Sequence, residues 1–141
     1  MIIPATLDGY KVVAIGNSAF SAKNLITYVS VPEGVVSLGS SAFSGCSKLQ
    51  KISLPTTLKE IGDYSFYNTK ITSIEIPDGI TKIGNYCFYN CFQLTNITLP
   101  STLKEIGNNA FYNTNITTII IPEACKYAKG GKNIFGQPND S

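Results

Sequence analysis

"LPTTLKEIGDYSFYNTKITSIEIP", residues 54–77, and "LPSTLKEIGNNAFYNTNITTIIIP", residues 99–122, are nearly the same text written twice, 45 residues apart. Each copy holds a shorter repeat. Prolines fall at 32, 55, 77, 100 and 122, and phenylalanines at 20, 43, 66, 88 and 111, so both markers advance by 22 or 23 residues. The pairs Ile15-Gly16, Leu38-Gly39, Ile61-Gly62, Ile83-Gly84 and Ile106-Gly107 keep the same register, six residues past a proline in every unit but the first. Three independent markers define one frame: Pro-x-x-apolar-x-x-Ile-Gly-x-x-small-Phe, a short turn, then Leu-x-x-Ile-x-Leu and the next Pro. The alternating step lengths imply an older duplication of two units.

Self-similarity at a fixed period of about 20 to 29 residues, with Leu-x-x-Ile-x-Leu in each unit, points to a solenoid in which every unit is one coil. The expected fold is an α/β-type leucine-rich-repeat solenoid. Short parallel strands form a concave sheet, the returning segments are irregular or short helical turns, and there is little regular helix. In "LQKISLP" (49–55), side-chain alternation turns Ile52 and Leu54 inward and Lys51 and Ser53 outward. Pro55 ends the strand because it has no N–H for the ladder. Gly62 suits a tight corner or a close backbone approach. "DYSFYN" (63–68) then returns with Phe66 inward, so Phe20, Phe43, Phe66, Phe88 and Phe111 stack as a spine.

A single coil cannot bury its own apolar face, so neighbours must cover it and the ends need caps. Asp8-Gly9 between apolar runs reads as a hairpin turn. Residues 1–141 are therefore expected to form a single domain with an N-terminal capping unit at 1–31. Repeats follow at 32–54, 55–76, 77–99 and 100–121, and the polar stretch 122–141 is a cap or exit.

Composition narrows the function. The 141 residues are 43% apolar, as a folded domain requires, and the formal charge is only +2. All eleven cations are lysines, spread from Lys11 to Lys132 without a run. That argues against nucleic acid, whose binding needs clustered basic groups to displace counterions. The chain contains no His, Arg or Trp. It therefore lacks the commonest general base and metal ligand, and the planar clamp for carboxylate or phosphate. Neither an enzyme nor a cofactor is expected. No apolar stretch approaches the roughly 20 residues of a membrane span. The longest, "ITTIIIP" (116–122), is broken by threonines and a proline, so membrane insertion by this chain is not expected. "MIIPATLDGYK" does not read as a secretory signal, although a mature or excised piece would look the same.

Cys87 and Cys91, four apart among aromatic rings, invite a chemical reading as a metal clip or a redox pair. Aligning the units puts Cys46, Thr69, Cys91 and Thr114 at one site, and Ala19, Ala42, Ser65, Cys87 and Ala110 at another. Cys87 thus sits where a small buried side chain is wanted, and Cys91 where Thr serves equally well. Cys46 and Cys91 are two coils apart, ~10 Å at a strand spacing near 4.8 Å, beyond the roughly 7 Å Cα limit for a disulfide. Zinc needs four ligands, and one coil offers two sulfurs and no His. Buried structural thiols are the favoured reading. The state of Cys125 is left open.

Two surfaces qualify for binding. The outward strand positions form columns that pave the concave face: Thr27, Tyr28 and Ser30; Gln50, Lys51 and Ser53; Thr72, Ser73 and Glu75; Thr95, Asn96 and Thr98; Thr117, Thr118 and Ile120. The protein-binding candidates among them are Tyr28, Ser30, Lys51, Ser53, Ser73, Glu75, Asn96, Thr98, Thr118 and Ile120. Solenoids bind through such faces, but a merely solvated sheet chosen for β-propensity would look alike. Ile120 is the odd member, apolar where Glu75 stands in the other copy and a place for the cap or a partner to cover. The alternative patch is the row Tyr67, Tyr89 and Tyr112, flanked by Tyr64 and Tyr86. Tyrosine buries area at low entropic cost, although an aromatic ladder shielding the turn from water fits as well.

"IPDGITKIGNYCFYNCFQLTNITLP" (76–100) and "VPEGVVSLGSSAFSGCSKLQKISLP" (31–55) resemble the BspA-like (Treponema pallidum type) leucine-rich repeats, and the resemblance runs from Pro4 to Pro122. It implies a curved right-handed solenoid, usually in secreted or cell-surface proteins of host-associated bacteria and some protozoan parasites. It further implies adhesion, with host matrix or plasma proteins or another cell surface as partners. No catalytic motif comes with it. The chain departs from the pattern in its shortened alternate units, with Thr69 and Thr114 at the usual Cys position. A protein-binding or adhesion module is the leading reading, a passive spacer within a larger surface protein the alternative, and an enzyme the least supported.

Overall fold

A computed structural model describes residues 1–125 together with Ile134 and Phe135. The chain opens with the expected hairpin: β1 (Thr6–Leu7) runs antiparallel to β2 (Tyr10–Lys11). Asp8 and Gly9 both take positive φ, 52° and 84°, the geometry of a tight two-residue turn. Each later coil contributes one strand to either of two faces. In chain order these are β3 (Ala14–Ile15), β4 (Tyr28–Ser30), β5 (Ser37–Leu38), β6 (Lys51–Ser53), β7 (Glu60–Ile61), β8 (Ser73–Glu75), β9 (Lys82–Ile83), β10 (Asn96–Thr98) and β11 (Glu105–Ile106). Every neighbour pair after the hairpin is parallel. The fold is a β-solenoid of about four turns with no helix among the described residues.

The two faces differ from expectation in one respect. The expected face is present as two paired segments, β4 with β6 and β8 with β10. The Ile-Gly positions, read from sequence as corners, instead build the longer sheet, β3-β5-β7-β9-β11, with Ile15, Leu38, Ile61, Ile83 and Ile106 buried beneath it. Each of these strands is only two residues long, too short to show alternation in the sequence. The next residue is glycine for a reason of space. A Cβ on Gly62 would lie 2.7 Å from the Ser40 nitrogen and 2.8 Å from the Gly39 carbonyl carbon of the coil below.

Between the two faces runs the predicted spine. Phe20, Phe43, Phe66, Phe88 and Phe111 stack with centroid separations of 5.3–5.9 Å and interplanar angles of 13° or less. Phe135 adds a sixth ring, 5.9 Å from Phe111 and tilted by 36°. The Phe111 N–H donates to the Ile134 carbonyl at 2.6 Å, as the Phe88 N–H does to Ala110 at 2.8 Å. Ile134 and Phe135 therefore continue the repeat pattern inside a segment that looks like a cap from sequence alone. Phe135 stands 13 positions after Pro122, where the phenylalanine stands 11 positions after the proline in each of the four preceding repeats.

The two-unit period has a physical basis. In the "PEG" and "PDG" units, Gly34 and Gly79 adopt φ of 104° and 102°. Each offers its N–H to a threonine hydroxyl in the next coil, Gly34 to Thr57 at 2.9 Å and Gly79 to Thr102 at 3.0 Å. Those hydroxyls in turn donate to the Val35 and Ile80 carbonyls at 2.7 and 2.8 Å. A coil with glycine and a coil with threonine are complementary halves, so the duplication copies pairs.

Candidate binding surfaces

The cysteines resolve toward packing. Cys46, Cys87 and Cys91 are fully buried. The Cys46 thiol donates to the Phe20 carbonyl at 3.1 Å, and the Cys91 thiol to the Phe66 carbonyl at 3.0 Å, each one coil down. The Thr69 hydroxyl lies 3.3 Å from Cys91 sulfur, so the Cys/Thr site is a column of small donors against buried carbonyls. Cys87 shares its aligned site with Ser65, whose hydroxyl donates to Gly62 carbonyl at 2.7 Å. Burial in apolar surroundings raises both thiols, Cys87 far above its ordinary range and Cys91 to about 11. A thiol held in its protonated form is neither a nucleophile nor a metal ligand. Among the described residues no three ligating side chains converge.

The outward columns stand much as predicted on the first four coils. Lys51, Ser53, Ser73, Glu75, Asn96 and Thr98 are exposed, Tyr28 is 39% exposed and Ser30 half-buried. Inward neighbours Val29, Ile52, Ile74 and Ile97 are buried, so alternation aims these side chains outward. The register Tyr28↔Lys51 and Ser73↔Asn96 brings them side by side in two pairs. The fifth column departs. Asn115 still donates to the Leu94 carbonyl at 2.9 Å, but residues 116–121 form no ladder. Thr118 and Ile120 are exposed without being sheet positions, Ile120 at 84% exposure. No strand pairs with this segment on its outer side among the described residues.

The tyrosines form a ladder. Tyr64 stacks on Tyr86 at 5.0 Å and 8°, while Tyr67, Tyr89 and Tyr112 follow at 5.3 and 4.8 Å with tilted planes. Tyr67 and Tyr86 tie the columns together through contacts to Tyr64 and Tyr89 at 5.6 and 5.5 Å. Desolvation, and then the neighbouring phenols Tyr112 and Tyr67, raise the Tyr89 hydroxyl above its ordinary range. Tyr64 and Tyr86 sit at φ of 61° and 57°, a left-handed conformation costing a bulky side chain on the order of 1 kcal/mol. Their mutual stacking offsets that strain, typically by ~0.5–1.5 kcal/mol. The rings are thus engaged with one another, and Tyr67, Tyr89 and Tyr112 are only half-buried.

Two exposed apolar residues escape a reading based on columns. Leu25 is 84% exposed and Phe92 52% exposed, both just ahead of a strand on the first sheet. Phe92 is the extra residue of its 23-residue unit, and Leu25 directly follows the corresponding residue, Asn24, in the first. That length difference, together with a phenylalanine out of register with the spine, is the signal that finds them.

Parallel coils, a phenylalanine spine and outward columns define a leucine-rich-repeat solenoid. The family comparison is specific: the BspA-type leucine-rich repeat region matches residues 13–139 in six copies, and the chain belongs to that family. Among solved structures it is similar to the leucine-rich repeat protein of T. pallidum, with 29% identity and TM-score 0.83, over 90% of this chain and 67% of that one. A leucine-rich cell surface protein of Faecalibacterium prausnitzii is 27% identical with TM-score 0.67, over 95% of this chain and 44% of that one. A leucine-rich repeat protein of Bacteroides capillosus is 32% identical with TM-score 0.62, over 69% and 73%. No curated protein matches significantly.

Proposed function

We propose that the chain is a non-enzymatic protein-binding or adhesion module of a secreted or cell-surface protein. Its ligand is a host matrix or plasma protein, or another cell surface. The observation that carries this reading is the outward row on the first sheet. Tyr28, Lys51, Ser73, Glu75, Asn96 and Thr98 are exposed and backed by buried residues. Side chains held at fixed spacing on a rigid support lose little entropy on binding. The description of the Faecalibacterium relative as a cell surface protein supports the location. The absence of His, and thiols held protonated by burial, support the non-enzymatic reading.

The test is retention of the purified chain on immobilised fibronectin, fibrinogen or host cells. Lys51→Ala combined with Asn96→Ala abolishes retention if the row is the contact face. A chain that none of these surfaces retains, and whose surface charge substitutions leave every activity of the parent protein unchanged, is a passive spacer instead.

A further inference from the structure

We propose that the rim where the coils enter the first sheet binds an acidic, extended segment of another polypeptide. Carboxylates would lie over Lys48 and Lys70, with apolar side chains against Leu25 and Phe92. The proposal rests on the protein-binding reading and names a site outside the outward row.

Charge is the first support. Residues 18–31, 41–54, 64–76, 86–99 and 109–121 form the same arc of five successive coils and contain one carboxylate, Glu75. Four lysines lie in that arc, at 23, 48, 51 and 70, while carboxylates such as Glu33, Glu60, Asp63 and Glu105 occupy the rest of the perimeter. With four lysines to one carboxylate, this side of the solenoid carries a net positive charge. Within it lies a groove of about 370 Å³ whose lining includes Lys48, Lys70, Gln50 and Gln93 and no carboxylate. The Thr72 N–H donates to the Gln50 carbonyl at 3.3 Å, and Lys70 and Lys48, each two residues earlier, hold matching positions on adjacent coils. Two ammonium groups this close attract a pair of carboxylates within a Debye length of ~8–10 Å.

Shape and polarity select the kind of anion. Leu25 lies two residues before Thr27, which lines the groove, and Phe92 is next to Gln93, which also lines it. Leu25, Lys48, Lys70 and Phe92 fall one to a coil on four successive coils, so the row spans ~14 Å at a strand spacing of ~4.8 Å. An extended peptide covers that distance with about four or five residues at ~3.3 Å each. The complementary ligand is apolar at both ends and acidic between. A polyanionic glycan would satisfy the lysines but leave Leu25 and Phe92 in water, so the two apolar anchors favour polypeptide.

The experiment is fluorescence anisotropy on the whole chain with a labelled hexapeptide, Leu-Glu-Asp-Glu-Asp-Leu. Its Gln/Asn isostere and a heparin hexasaccharide are the comparison probes. The acidic peptide should bind and the isostere should not, which requires no variant at all. Lys48→Glu with Lys70→Glu should raise Kd about tenfold or more, and Leu25→Ser with Phe92→Ser several-fold. Lys59→Glu with Lys104→Glu, on the opposite sheet, should leave Kd unchanged. Circular dichroism melts confirm that each variant is folded. The proposal is overturned if the isostere binds as well as the acidic peptide, or if charge reversal at 48 and 70 has no effect. Heparin binding that ignores Leu25 and Phe92 also overturns it. Retention on an immobilised protein that falls with Lys51→Ala plus Asn96→Ala, alongside no binding of the hexapeptide, means that the module reading stands and the acidic groove fails.

Discussion

Gly62→Ala tests the stacking directly, because the same position in the first coil supplies its own control. An alanine Cβ at 62 would meet the Ser40 nitrogen at 2.7 Å, the Gly39 carbonyl carbon at 2.8 Å and Ser40 Cα at 2.9 Å. All three are backbone, so no side chain can swing away, and the coils must part by roughly 1 Å to reach ordinary contact. That opening lengthens the 2.9 Å bond from Gly62 N–H to the Leu38 carbonyl beyond hydrogen-bond range. Overpacking of ~1–3 kcal/mol plus one backbone bond of ~0.5–1.5 kcal/mol gives a loss of about 2–4 kcal/mol. At ~2–4 °C per kcal/mol for a chain of this size, Tm falls by about 4–16 °C. Gly16, at the same place in the repeat, has nothing within 4 Å of its Cβ direction and no positive φ. Gly16→Ala should therefore leave stability unchanged or raise it by ~0.4–1 kcal/mol through the unfolded chain. Urea unfolding followed by far-ultraviolet circular dichroism and tyrosine emission measures both variants, since the chain has no Trp. Equal midpoints for the two would refute the reading of glycine as the contact between coils.

The phenylalanine spine should show a gradient. Phe66, fully buried between Phe43 and Phe88, loses about 3–5 kcal/mol on Phe66→Ala, whereas half-buried Phe20 loses clearly less on Phe20→Ala, and chemical denaturation ranks them. Cys91 has a pKa raised to about 11 in the folded chain, against ~8.5 unfolded. The native state holds its proton longer, so this contribution to stability is complete below about pH 8.5 and declines as pH rises through about 11. Cys91→Thr, which installs the residue found at 69 and 114, should keep the fold near neutrality and remove the Cys91 share of that alkaline decline, as read from melts across the range.

The spine and the alignment of Cys46 and Cys91 with Thr69 and Thr114 are legible in sequence because each is a packing demand repeated coil after coil, whereas the single hairpin at Asp8-Gly9 is legible from its turn residues alone. Repetition turns one weak residue preference into five coincident ones. Features confined to one coil, or too short to make a pattern, left less trace. Two-residue strands at Ile61 and Ile83 cannot display a period of two. The left-handed φ at Tyr64 and Tyr86 recurs at Ser18, Ser41 and Asn109, but the residue type at that position varies from coil to coil, so the turn leaves no single residue preference to read. Phe135 enters the spine after two extra residues, and 116–121 abandons the ladder although its composition is the most strand-like in the chain.

The binding surfaces obey the opposite logic. A buried residue is chosen by the coil beneath it and so recurs, but an outward residue such as Lys51, Glu75 or Phe92 answers to nothing inside the protein. Where the outward side departs from the repeat, as in the lysine pair Lys48 and Lys70 or the apolar tips Leu25 and Phe92, the fold supplies no reason for the departure. An exposed Leu on a single coil is unremarkable. An exposed Leu and Phe bracketing two lysines on consecutive coils, beside a groove whose lining holds no carboxylate, form a surface whose order depends on the stack yet is not required by it. That is why the scaffold could be read from a period, whereas the ligand has to be sought in the residues that break it.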